Sequence, residues 1–156
     1  MPTMVDAARP RYEGPLDLAR ALSAFARSPA ADAGWSREGL RPDVEYRDLG
    51  LAAATGGRVG ARHIRAIAPL PAPTGWHWHD MHAHFVYVLA GWLVFRFAGI
   101  DGDVRLSAGD GLSQPAGVPH DVIARSDDLE VIEINVPADY GTFDVGPSSS
   151  PGERGR

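Results

Sequence analysis

No cysteine occurs in this chain of 156 residues, so disulfides and thiolate metal sites are excluded. Positive charge is also scarce. The formal net charge is -5, which argues against nucleic acid as a partner, because such binders present a basic face. The N-terminal stretch MPTMVDAARPRYEG lacks the apolar core of a signal peptide. Nor is there a long hydrophobic run. The longest, FVYVLAGWLVFRFAG, is interrupted by Gly91 and Arg96 and is too short to span a bilayer. No internal repeat and no helix-turn-helix pattern stands out. The expectation is a soluble, cytoplasmic protein with neither membrane nor nucleic-acid partners, long enough for one domain with a real core.

What is present is histidine, and it is concentrated. Four of the six histidines fall within HWHDMHAH, residues 77–84. Around them the chain reads as short strands. VEYRDL and RVGARHIRAIA are strand candidates. From residue 76 onward, aromatic and β-branched segments are punctuated by Gly and Pro, as in a sandwich or barrel. Before them, PLDLARALSAFARS carries Leu18, Leu22 and Phe25 at helical spacing behind Pro15, which predicts one short amphipathic helix. This divides the chain into an N-terminal segment (1–43), a β domain (44–140) and a flexible polar tail (141–156).

Strand alternation puts His77 and His79 on one face, with Trp76 and Trp78 on the other. Residues 80–83 turn the chain, and His84 opens the next strand on the same face as Val86 and Val88. Two rings from one strand and one from its neighbour can converge, and imidazole is the commonest metal ligand at neutral pH. A solvated histidine patch, or pairing with acids such as Asp80, is the simpler alternative. Two HxH pairs followed by a long apolar strand favour a metal. A fourth ring, His120, follows the tight turn QPAGVP, in which Pro115 and Gly117 can aim it inward.

These two stretches resemble the motifs of the cupin superfamily. The first motif is G, five residues, HxH, three or four residues, E, six residues, G. His77, His79 and Gly91 fit it, with Pro71 at the first glycine and His84 at the glutamate. The second is G, five residues, PxG, two residues, H, three residues, N. Gly109, Pro115, Gly117 and His120 fit it, with Ala124 at the asparagine. The resemblance spans roughly residues 60–138 and implies an all-β antiparallel jelly-roll barrel holding one divalent transition metal (iron, nickel, copper, manganese or zinc) on His77, His79, His84 and His120. It also implies a small-molecule substrate and a homodimer, with the N-terminal helix as an exchanged arm or lid.

Replacing the usual glutamate by His84 changes the charge of the site. Four neutral imidazoles leave a dication uncompensated, and a low-dielectric pocket amplifies its field. The expected ligand is therefore a small organic anion. The leading expectation is a mononuclear dioxygenase. A non-redox isomerase, lyase or polyketide-cyclase-like enzyme is the alternative, and a non-catalytic binding protein the third reading. Candidate catalytic groups are His82, as a group supporting the ligands, an entrance base or an exposed loop residue, Gln114, as a hydrogen-bond partner of a ligand or bound water, and Glu133, as a base in place of the missing acid. Glu133 and Asn135 share one strand face, read here as leaning toward solvent. Phe85, Tyr87, Trp92, Phe95 and Phe97 are expected in the core and pocket wall, with the flanking tryptophans drying the site. His63 is expected near the surface.

Overall fold

A computed structural model describes residues 17–146. Two five-stranded antiparallel sheets face each other. One has the order β1 (Val44–Asp48), β2 (Gly60–Ala66), β9 (Glu130–Val136), β4 (Ala83–Ala90), β7 (Gly111–Gln114). The other runs β10 (Thr142–Asp144), β3 (His77–His79), β8 (His120–Arg125), β5 (Trp92–Phe97), β6 (Val104–Ser107). This is the expected jelly roll, as two facing sheets. Among the described residues, no helix is long and apolar enough to cross a membrane.

Alternation explains which residues enter the space between the sheets. Along β4, His84, Val86 and Val88 are buried, while Phe85, Tyr87 and Leu89 are 36–44% exposed. Along β5, Leu93, Phe95 and Phe97 point inward. With Leu106, Leu129 and Val131 these side chains form the apolar core. Phe85 and Tyr87 therefore belong to the outer face, not to the core or pocket wall expected for them. Their parity on β4 is opposite to that of His84. Gly91, Gly109 and Gly117 all take positive φ at strand connections. At Gly91 the space is also closed, because a Cβ would press on Ser126, Asp128 and Leu129.

Two boundaries differ from expectation. The N-terminal helix α1 covers only Leu18–Leu22, and residues 15 and 16 lie outside the described residues. Leu22 and Phe25 are 60% and 76% exposed, so no packed apolar face sustains a longer helix. At the other end the sheet continues past residue 140, because β10 pairs with β3 across Thr142↔His79 and Asp144↔His77. The expected loose segment at residues 1–14 and the rest of the polar tail, 147–156, lie outside the described residues.

A buried ion pair ties the start of β1 to the end of β8. Arg125 Nη2 donates to Asp43 Oδ2 at 2.5 Å and to the Ala68 carbonyl at 2.8 Å, with side-chain exposures of 3% and 8%. Removing one partner strands a buried charge. Arg125→Met should cost about 3–5 kcal/mol in urea unfolding. The double variant Asp43→Leu/Arg125→Met should be more stable than that single variant. A double variant less stable than Arg125→Met would contradict this account.

Candidate metal centre

The histidines are placed by strand pairing. His77 and His79 leave β3 on the same face, and His77 stands opposite His120 of β8. All three rings are buried, at 4%, 8% and 5% exposure. Their ligand nitrogens lie within 4.8 Å of one another. Phe95 and Phe97 back the His120 ring at centroid distances of 6.5 and 5.7 Å.

The outer nitrogens of these rings are engaged. His77 Nδ1 lies 2.7 Å from the Gly75 carbonyl and His120 Nδ1 3.0 Å from the Val118 carbonyl. A carbonyl only accepts, so both Nδ1 atoms carry the proton and each Nε2 keeps its lone pair. His79 Nδ1 lies 2.8 Å from Thr142 Oγ1. Such outer contacts orient metal-binding imidazoles. Burial lowers the pKa of all three. His79 falls to about 3, helped by repulsion from His120 and His77. His120 falls to about 4, burial and the neighbouring rings outweighing its backbone hydrogen bond. His77 is lowered by burial as well. Three neutral, converging, pre-oriented imidazoles fit a divalent transition ion, and this donor set suits iron, nickel, copper or zinc better than magnesium or calcium.

His84 approaches from the opposite sheet. Its ring centroid is 5.5 Å from that of His79 and 6.3 Å from that of His120. Its Nε2 lies 3.1 Å from Glu133 Oε1. Glu133 is a wall of this cavity, against the lean toward solvent drawn from the sequence. The reason is register. Val86 stands opposite Glu133, His84 opposite Asn135 and Val88 opposite the core residue Val131, so the whole parity faces inward. Asn135 is 1% exposed and donates to the carbonyls of Pro137 and Ala138. That turn carries Tyr140 to the site.

Glu133 Oε1 receives three donors. Besides His84, Arg62 Nη2 reaches it at 3.4 Å and the Tyr140 hydroxyl at 3.3 Å, and Arg62 also donates to Tyr140 at 2.5 Å. Burial alone would raise the Glu133 pKa, but the His84 hydrogen bond and the Arg62 charge hold it down at about 2. Burial and the Glu133 charge push the Tyr140 hydroxyl up, so it stays a donor. Gln114 is 6% exposed, with its amide nitrogen 3.4 Å from His84 Nε2. Its Oε1 is buried without a protein partner, an acceptor free in the cavity wall.

The cavity around these groups measures about 440 Å³. Apolar side chains such as Val44, Ile64, Leu93 and Val131 line its body. His82 is exposed in the β3–β4 connection and lines a separate polar cleft with Asp80, Asp139 and Tyr140. Trp76 is 37% exposed and Trp78 stacks on the exposed Phe143, so these tryptophans flank the ligands from outside and do not dry the cavity. His63 is partly exposed on the outer face, bonded to Glu130. Sequence reasoning missed Arg62, Tyr140 and Thr142; the Arg62–Glu133, Arg62–Tyr140 and His79–Thr142 contacts join residues more than sixty apart.

The cupin-domain family model matches residues 66–136. That segment is a cupin domain. Among solved structures, the chain resembles KdgF from Halomonas sp., with 21% identity, a TM-score of 0.57, and coverage of 72% of this chain and 94% of that one. It also resembles the polyketide cyclase RemF from Streptomyces resistomycificus, with 20% identity, a TM-score of 0.61, and coverage of 83% and 91%. A third similar structure is the Bacillus subtilis oxalate decarboxylase, a protein with Mn(II) centres, at 18% identity and a TM-score of 0.55. There the match covers 74% of this chain but only 31% of the decarboxylase. No curated protein sequence matches the chain. At these identities the likeness carries the cupin fold.

The lowered imidazole pKa values set an acid limit for the metal-free protein. Below the ordinary imidazole pKa of about 6.5, the unfolded chain binds protons that folded His79 and His120 refuse. Stability is full above that pH and declines as pH falls toward the folded values of about 4 and 3. In EDTA, the thermal midpoint should fall between about pH 6.5 and 4, and less steeply in His79→Asn. A midpoint flat across that range would contradict neutral burial of the rings.

Proposed function

We propose that the protein is a metal-dependent enzyme that moves protons on a small anionic carbonyl compound, in the manner of an isomerase, lyase or cyclase. The observation that carries this reading is the His84–Glu133 pair, an acid–base couple facing three converging imidazoles in one cavity. His77, His79 and His120 would hold the ion. A divalent ion there supplies a Lewis acid that polarises a carbonyl oxygen.

The chain's own groups supply the rest. Glu133 stays ionised and accepts the Nε2–H of His84, which leaves the other ring nitrogen, Nδ1, for the substrate. His84 Nδ1 takes a proton from the substrate, and Glu133 stabilises the imidazolium that results. Arg62 and Tyr140 keep the carboxylate fixed and ionised. Gln114 lines the cavity beside His84, its amide nitrogen 3.4 Å from His84 Nε2. The apolar wall excludes water and strengthens these contacts. The likeness to a polyketide cyclase is in keeping with carbonyl chemistry, although at 20% identity it bears on the fold only.

In a second reading His84 is the fourth metal ligand, as the sequence suggests, and the enzyme is a dioxygenase. Its ring centroid, 5.5 Å from that of His79, supports this alternative, whereas the converging ligand atoms among the described residues are those of His77, His79 and His120. Metal content and solvent-proton exchange separate the two. Zinc- or nickel-loaded protein should catalyse deuterium uptake from D₂O into some member of a panel of 2-oxo acids and β-dicarbonyls, followed by NMR. Glu133→Gln and His84→Ala should retain stoichiometric metal and slow the exchange by roughly 10²–10³-fold. Loss of metal in His84→Ala, with oxygen consumed by the iron-loaded wild type, would favour the dioxygenase. No metal in the wild type after reconstitution would remove both readings.

The outer face of β4 and β9 supports a homodimer in solution. Phe85 stands opposite Ile134 and Tyr87 opposite Ile132, an apolar sheet face left partly exposed. Sedimentation should give twice the chain mass, and a single-chain mass at every concentration would overturn this.

A further inference from the structure

Three arginines line the cavity: Arg41, Arg62 and Arg125. Two are neutralised by buried acids, Arg62 by Glu133 and Arg125 by Asp43. Arg41 has no carboxylate partner among the described residues. Its guanidinium makes one long hydrogen bond, from Nη1 to the Thr74 carbonyl at 3.4 Å. Its backbone is fixed, because its amide donates to the Tyr46 hydroxyl at 3.1 Å. The side chain is thus anchored on the segment before β1 and held toward the loop before β3, with its donors largely unspent. It is also near enough to the metal-binding rings for its charge to weigh against protonation of His77 and His120.

A half-buried cation without a counter-ion, beside a cavity with apolar walls, is an anion receptor. Arg presents a planar fork of donors matched to a carboxylate. Asp139 lines the same cavity but is exposed to solvent, which screens it. We propose that Arg41 is the specificity-determining residue of this cavity, binding the carboxylate of an organic acid whose apolar body lies against the apolar lining, which includes Val44 and Val131. Arg41 lies outside the segment matched by the cupin-domain family model, so this preference belongs to this chain's own N-terminal segment. The proposal rests on the functional reading only in taking this cavity as the substrate's, and it does not depend on which reaction follows.

The test is calorimetric binding of phenylalkanoic acids, from benzoate to 5-phenylpentanoate, against their primary amides. It is run on zinc-loaded protein and on protein stripped with EDTA, with metal content measured in parallel. In the wild type the best acid should bind about tenfold or more tightly than its amide, loaded or stripped, because a charge-assisted pair replaces a neutral contact. Arg41→Gln should bring that ratio close to one, and Arg41→Lys should restore part of it. Equal binding of acid and amide, an unchanged ratio in Arg41→Gln, or no saturable binding of any acid at millimolar concentration would overturn the proposal. A preference confined to loaded protein and indifferent to Arg41 would place the carboxylate on the metal and overturn it too, while leaving the metal-enzyme reading intact. A protein that binds no metal yet keeps the Arg41-dependent preference would do the reverse.

Discussion

Three imidazoles whose ligand nitrogens lie within 4.8 Å of one another, all buried, can be neutral or can share a cation, but they cannot all be protonated. Much else in the structure answers to that constraint. The Nδ1 atoms of His77 and His120 meet carbonyls, which select the tautomer with a free Nε2. Phe95 and Phe97 close the back of His120 and deny it water. The edge strand β10 brings Thr142 to His79. Each contact makes neutral, oriented rings cheaper to maintain and charged ones more costly.

The opposite sheet handles charge differently. It tolerates a buried carboxylate, Glu133, by concentrating three donors on one oxygen. Such an arrangement is stable only when all its members are present, because an isolated carboxylate there would take up a proton. Asn135 braces the turn that delivers Tyr140, and Gly60 leaves room for it, since a Cβ at Gly60 would crowd both Asn135 and Ala138. Glu133 and the groups that hold it are therefore joined through β2, β9 and the turn after β9.

The parts of this site that follow from local pattern were legible in the sequence. Period-two alternation placed His77 with His79 and His84 with Val86, and PxG before His120 marked a turn that aims a ring inward. What depended on long-range register was not legible. Glu133 and Asn135 read as a solvent-leaning face because polar residues usually are solvated. Only the pairing of Val131 with Val88 reveals that their face is the inner one. Phe85 and Tyr87 failed for the converse reason, since aromatic character suggested burial while parity put them outside. The N-terminal helix had the right spacing and no surface to pack on. Arg62 and Tyr140 carried no signal, because an arginine in a strand and a tyrosine near a tail are usually surface residues.

The missing glutamate bears directly on the charge inside the cavity. His84 occupies the glutamate slot of the cupin motif, which by itself leaves a bound dication uncompensated. The buried acid Glu133, on another strand, carries a charge of the sign needed to restore the balance. It does not restore it, because Arg62 cancels that charge, just as Arg125 cancels Asp43. The exposed Asp139 is screened by solvent. With those pairs closed, Arg41 is the unpaired charge left among the described cavity-lining side chains, the buried Asp121 lying on the other face of β8, bonded to Thr74 and Gly75, so the lining is positive although the chain carries a net charge of -5. A low-dielectric cavity of that sign attracts an anion and penalises its neutral analogue. On the proposed reading, the carboxylate of an organic acid would meet Arg41, whose guanidinium donates only one long hydrogen bond, to the Thr74 carbonyl, and the rest of the ligand would face the histidines.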